Sequence, residues 1–241
     1  MRKMLLRFLL CLPAAAMLAP GAAAAQGVFN MGMLTNTLSQ GGSTQSESAR
    51  ASTSSVFRSM ARAPRSAAVD HAAITYRPST AVRQRNMQQF VARLSRVDPK
   101  SAADLQRTFA RRDVVAEVGG VMRPVGLNPN NVADAMAMYL VAAYYGVRGS
   151  VDSKPADYKA VSAQMARAIS TTPGFANASD ALKQEIAESM LVQAVLVDQA
   201  VQAAQKQPSA MPSIKAAIAK GSRTAFGFDV TKMQLGPNGL R

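Results

Sequence analysis

The sequence predicts an all-α protein: a single compact multi-helix domain, preceded by a signal peptide and a flexible arm. Three observations support this fold class. Apolar residues recur at helical spacing in several segments, capping residues and prolines mark helix starts, and the sequence has neither a series of strand-like segments nor a repeat of fixed period. We assign 1–25 to the signal peptide, 26–75 to a low-complexity flexible arm rich in Ser, Gly and Ala, and 76–241 to the helical domain.

The N-terminus has the three parts of an export signal. Arg2, Lys3 and Arg7 are positively charged, and Phe8–Leu18 is an apolar run of 11 residues, too short to span a bilayer. Small residues then lead to a predicted cleavage site after Ala25. We therefore expect the mature protein to be exported, to the periplasm or the extracellular space.

The single cysteine and the net charge limit the chemistry of the exported chain. Cys11 lies inside the apolar run behind Leu10, which disfavours a lipoprotein site, so the mature chain has no thiol and no disulfide. The whole chain has 28 Lys plus Arg against 14 Asp plus Glu; loss of three basic residues with the signal leaves 25 against 14, or +11. This basic charge favours an anionic envelope component as partner, although solubility alone is an alternative reason for it.

The composition of residues 26–75 predicts little fixed structure. Gly41–Ser46 and Ser52–Ser55 hold few large apolar side chains and cannot offset the entropy lost on ordering. His71, the only histidine, lies beside Asp70 in this segment and is expected to be solvated. A catalytic triad is disfavoured, because no nucleophile elbow surrounds any serine.

The first predicted helices follow one another closely. Ser79 or Thr80 caps a helix whose apolar positions fall on one side, and Asp98 followed by Pro99 starts the second helix. Asp113 caps a third helix, which the pair Gly119–Gly120 weakens. The apolar positions of the first helix are Val82, Met87, Phe90, Val91, Leu94 and Val97.

The remaining helices include the predicted centre of the domain. Asn128–Asn131 is a turn and cap cluster that opens the most apolar helix, Val132–Tyr145, which we expect to be central. The stretch Val132–Val147 has 16 residues and carries Asp134, so it favours a buried helix over a membrane span. Three further helices are predicted at Pro155–Ile169, at Asp180–Gln205 (the longest) and from Ser213 to Lys220 with a Gly221 cap; Phe226–Arg241 is predicted to be irregular or to hold one last turn.

Several short motifs are shared with a known group of proteins. They are Tyr76–Ser79, Val82–Asn86, Phe90–Val91, Asp98–Pro99, Ala103–Leu105, Gly126–Leu127, Asn131–Ala135, Gln234–Leu235 and Gly239–Leu240. On these residues the chain resembles a family of exported bacterial proteins filed under a domain of unknown function. The resemblance implies an exported helical domain and assigns no catalytic residues.

Cofactor and metal chemistry is disfavoured. With one histidine and no mature cysteine, zinc and copper sites lack ligands, and no calcium loop is present. Neither a phosphate-binding loop nor a dinucleotide-binding glycine motif occurs, so no cofactor is predicted.

Carboxylates offer one enzymatic alternative. Glu185 and Glu188 share a helix face that is predicted to be solvated. Glu117 lies beside Val118, and burial could raise its pKa; with Asp134 as its partner it would make a cofactor-free hydrolase acting on an envelope substrate. The alternative interpretation leaves Glu117 in water and Asp134 in a first helical turn, where it complements the helix dipole.

The strongest surface signal is a basic cluster, with eight Lys or Arg residues between Arg83 and Arg112. It could grip phosphates or acidic glycans, but it has neither the aromatic residues of a single-strand binder nor the spacing of a DNA-binding motif. Our leading hypothesis is a non-enzymatic exported binding protein. A third hypothesis is an assembly factor that pairs with another envelope protein through the Asp180–Gln205 helix. The predicted binding residues are Arg85, Arg93, Arg96, Lys100, Arg107, Arg111 and Arg112.

Overall fold

The computed structural model describes residue 35, residues 37–39 and residues 45–241, and the regular secondary structure there is helical apart from one small hairpin. The predicted signal peptide lies outside the described residues. None of the described helices is long and apolar enough to cross a membrane. The helices are α1 (Glu47–Met60), α2 (His71–Ile74), α3 (Thr80–Ser95), α4 (Pro99–Arg111), α5 (Val114–Met122), α6 (Val132–Gly146), α7 (Pro155–Ser170), α8 (Asp180–Lys206) and α9 (Met211–Phe226).

The core is built around α6. Every residue of α6 from Val132 to Ala143 is buried, and the helix packs mainly against α7 and α8. A helix that is apolar on all sides can lose all of its side chains from water only at the centre of a domain. This confirms the predicted central helix and the all-α fold class.

The helix starts follow local capping chemistry. Ser79 accepts from the amide of Val82, Asp98 from Ser101, and Asp113 from Ala116. These side chains satisfy amides that the first helical turn leaves without a partner. The predicted starts of α3, α4 and α5 are confirmed.

The second half of the predicted flexible arm is instead part of the domain. Ser46 caps α1, and Val56, Phe57 and Met60 on that helix are buried. The Phe57 ring lies 5.0 Å from the ring of Phe226 at the end of α9. The prediction for this segment was wrong because a few apolar residues at helical spacing find partners that are distant in sequence.

Two other elements differ from the expectation. Helix α9 continues through Gly221 to Phe226, and Gly221 lets the backbone of Leu38 approach closely: a Cβ there would lie 2.1 Å from the Leu38 carbonyl oxygen. The tail contains a short 3-10 turn at Val230–Lys232 and an antiparallel hairpin of β1 (Leu235–Gly236) and β2 (Gly239–Leu240).

The hairpin is fixed to α7 by one side chain. The Gln164 amide donates to the Leu240 carbonyl at 2.7 Å, and its oxygen accepts from the Leu240 amide at 2.8 Å. The Gln164 side chain therefore bonds β2 as a neighbouring strand would. We infer that these two hydrogen bonds help to keep so short a strand pair ordered.

Candidate functional site

The candidate site is a groove between α3 and α4, with a volume of about 890 Å³. The two helices form an antiparallel pair joined by the turn at 96–98. Met87 and Val91 on α3 and Phe109 on α4 form its apolar floor; all three are half-buried. The rim consists of the neutral side chains of Gln84, Gln88, Ala92, Ala103, Gln106 and Ala110.

The two ends of the groove differ in charge. Ser95 and Pro99 line the end beside the turn, and both are uncharged. Because the helices are antiparallel, the start of α3 meets the end of α4, and the charged residues of the lining lie there. They are Arg83, Arg111, Arg112 and Asp113.

Arg83 is held rigidly at this charged end. Its Nε donates to Glu188 at 2.9 Å and its Nη1 to Asp113 at 2.8 Å, which leaves the side chain 25% exposed. Burial opposes the charge of the guanidinium, but its hydrogen bonds to Glu188 and Asp113 outweigh burial and raise the pKa of Arg83. The side chain is therefore a fixed cation in the wall of the groove.

Beneath Arg83 lies a buried carboxylate on α8. Glu188 is 0% exposed, and it also accepts from the amide nitrogens of Asn86 at 2.7 Å and Gln184 at 2.9 Å. Gln184 in turn bonds both the amide and the carbonyl of Ser79. This network attaches the start of α3 to α8.

The neighbouring carboxylate connects a third segment. Glu185 accepts from the amide of Ser46 at 2.7 Å and from Nη1 of Arg93 at 3.2 Å. The expectation of a solvated face for Glu185 and Glu188 was wrong, because the polar side of α3 packs against these two acids. Charged side chains are buried when partners neutralise them.

The predicted basic cluster divides into two groups. Four of its eight members have acidic partners: Arg83 pairs with Glu188 and Asp113, Arg93 with Glu185, Arg107 with Asp104 and Arg112 with Glu117. The other four, Arg85, Arg96, Lys100 and Arg111, are exposed and make no ion pair within the described part of the chain. Of the seven predicted residues, Arg111 and Arg112 line the groove.

The carboxylates of the hydrolase hypothesis have separate partners. Glu117 binds Arg112, whose Nε lies 2.9 Å from it. Asp134 is 6% exposed and accepts from the Asn128 amide at 2.8 Å and from the Ser162 hydroxyl. Burial raises the pKa of Asp134, and those two hydrogen bonds oppose the shift. Neither carboxylate lines the groove.

The remaining candidates lie elsewhere. His71 is exposed at the first position of α2, where Asp70 caps the helix. Across residues 45–241 and the few described before them, no three His, Cys, Asp or Glu side chains come together as a possible metal site.

Arg83, Asn86 and Glu188 were missed as site residues by sequence reasoning. No apolar pattern marked Glu188 in the sequence, because five of the seven residues from 183 to 189 are polar or charged, which is typical of a solvated face. Arg83 and Asn86 lie within one of the shared motifs.

Comparisons with known proteins identify the group but no activity. A family of unknown function, DUF6683, matches residues 5–241, nearly the whole chain. Neither a curated protein nor a solved structure matches the chain. The protein therefore belongs to the family of unknown function DUF6683, which confirms the resemblance drawn from its short motifs.

Proposed function

We propose that this protein is an exported, non-enzymatic binding protein that engages an anionic component of the cell envelope through the α3–α4 hairpin. The observation that carries the proposal is the set of four exposed cations without ion pairs on that hairpin, beside a groove with a basic end. A cation already neutralised by a neighbouring acid attracts a ligand only weakly, so unpaired cations give the hairpin its affinity.

The tip of the hairpin supports contact with a lipid surface. Val97 lies in the turn and is 43% exposed. Among the described residues it is the one large apolar side chain that is exposed. Arg96 and Lys100 flank it in sequence, and both are exposed. An apolar residue between cations fits an interface where the charges meet anionic head groups.

The charged, apolar and small-residue parts of residues 1–25 support export as part of the proposal. An exported chain would meet lipopolysaccharide, acidic glycans and phospholipid head groups. Amino-terminal sequencing of the native protein is expected to give Gln26 as the first residue.

The proposal is tested by removing only unpaired charges. Replacing Arg85, Arg96, Lys100 and Arg111 with Gln is expected to weaken sedimentation with phosphatidylglycerol vesicles by roughly 100- to 1,000-fold, from about 1 kcal/mol for each cation near an anionic surface. The matched control replaces Arg62, Arg65, Lys220 and Lys232, four exposed cations outside the hairpin.

The two variants have the same net charge, so a difference between them reports position rather than total charge. Phosphatidylcholine vesicles supply the uncharged comparison, and binding is expected to weaken as salt rises. Equal loss of binding in both variants would contradict a role for the hairpin.

A further inference from the structure

We infer that the groove between α3 and α4 binds the acyl chain of a single anionic lipid, with its charged head at Arg111. This inference rests on the proposed function and deepens it: the hairpin then holds one lipid molecule in addition to contacting a surface. The distribution of charge, the size of the groove and the composition of its rim support this inference.

The distribution of charge matches a ligand with one charged end. The described lining has three arginines and one acid, Asp113, and all four lie where α3 begins and α4 ends. Arg83 is bound to Asp113 and Glu188, and Arg112 to Glu117, whereas Arg111 makes no ion pair in the described structure and is the cation available to a ligand at this end. The remaining lining, toward the turn, is apolar or neutral.

The size of the groove favours a slender chain over a protein helix. Its volume of about 890 Å³ lies within the range of small-molecule sites. A helix about 10 Å wide lying along the roughly 24 Å of α3 would occupy roughly 1,900 Å³, about twice that volume. Most of such a helix would lie outside the groove.

The composition of the rim also favours an acyl chain over a protein helix. Helical partners are usually fixed in register by charges along both sides of the contact. Here the sides carry Gln84, Gln88 and Gln106 together with alanines, so the rim offers no charge to fix a helix in register. An acyl chain needs no such pairing, because its contact with Met87 and Val91 is apolar.

Arg111 supplies the head-group site, because it is exposed at the charged end of the groove and makes no ion pair in the described structure. A guanidinium can bind phosphate or carboxylate through two parallel hydrogen bonds. Arg83 lines the wall beside it, and Glu188 and Asp113 hold its Nε and Nη1, so that this wall keeps one orientation.

The test uses alkyl phosphates as probes, below their micelle-forming concentrations, with the mature chain in isothermal titration calorimetry. Affinity is expected to rise about tenfold for each two added carbons from octyl to dodecyl phosphate. Inorganic phosphate and the uncharged dodecyl maltoside are each expected to bind at least tenfold more weakly than dodecyl phosphate.

A blocking variant tests the location. Ala92 is exposed on the rim, and Ala92→Trp is expected to lower the affinity for dodecyl phosphate at least tenfold. Ala163→Trp, at an exposed position on α7, is the matched control and is expected to bind as the wild-type chain does. Arg111→Gln is expected to weaken the binding of dodecyl phosphate more than the binding of dodecyl maltoside.

The outcomes separate the two proposals. Affinity independent of chain length, or equal binding by Ala92→Trp and wild type, overturns the groove inference even when both proteins sediment with anionic vesicles. Binding of an acidic amphipathic peptide in place of dodecyl phosphate also overturns it. If the wild-type chain does not sediment with anionic vesicles but binds alkyl phosphates with the expected dependence on chain length, the surface proposal fails and the groove inference stands.

Discussion

Replacing Glu188 with alanine removes the acceptor shared by Arg83, Asn86 and Gln184. Asn86 is 6% exposed, and the substitution removes the carboxylate to which its side-chain amide donates. Leaving a buried donor unpaired costs about 1–3 kcal/mol, and breaking a buried ion pair by removing one partner costs about 3–5 kcal/mol. Arg83 keeps Asp113, and Gln184 keeps Ser79, so we expect a loss of about 3–5 kcal/mol rather than the sum.

Urea denaturation followed by far-ultraviolet circular dichroism measures this loss. Glu188→Gln retains an acceptor oxygen and is expected to cost less than the alanine variant. Glu47→Ala, at an exposed position in the first turn of α1, is the control and is expected to cost at most about 1 kcal/mol. A loss below about 1 kcal/mol for Glu188→Ala would refute the claim that this network joins α3 to α8.

Two further predictions concern packing and pH. Gly221→Ala is expected to lower the free energy of unfolding by about 1–3 kcal/mol, because its Cβ meets the Leu38 carbonyl, whereas Gly120→Ala, with open space around it, is expected to raise it by up to about 1 kcal/mol in the same denaturation assay. Burial raises the pKa of Asp198 from 3.8 to about 8, so the folded state binds an extra proton between those values and stability falls as pH rises through that window. Asp198→Asn is therefore expected to raise the melting temperature more at pH 9 than at pH 4; an equal change at both would contradict this.

Local chemistry made the helix starts predictable. Ser79, Asp98 and Asp113 accept amide hydrogen bonds within three residues of themselves, so each cap depends only on neighbouring sequence. The central position of α6 was predictable because its apolar residues leave no face for water. These features need no knowledge of tertiary contacts.

The polar network was not predictable in the same way, because its partners are far apart in the chain. Asn86 and Glu188 are separated by 102 residues, and Gln45 donates to Ser189 across 144 residues. Helical periodicity indicates which residues share a face, but it does not indicate which neighbouring element covers that face. The same limit explains why α1 was assigned to a flexible arm.

The density of basic residues drew attention to α3 and α4, the two helices between which the groove lies. The binding role predicted for those residues stays a prediction. Which cations are unpaired depends on acids such as Glu185 and Glu117, whose distances from Arg93 and Arg112 follow from packing. The groove depends on the separation of the two helices, for which the sequence has no periodic signal.

Lipid binding in the groove is tested most directly by photo-crosslinking with an alkyl phosphate that carries a diazirine on its chain. After irradiation and proteolysis, mass spectrometry locates the modified residues. We expect adducts to concentrate on α3 and α4 between residues 84 and 110 and to disappear when unlabelled dodecyl phosphate competes. Adducts spread over the whole exposed surface, or insensitive to that competitor, would contradict it.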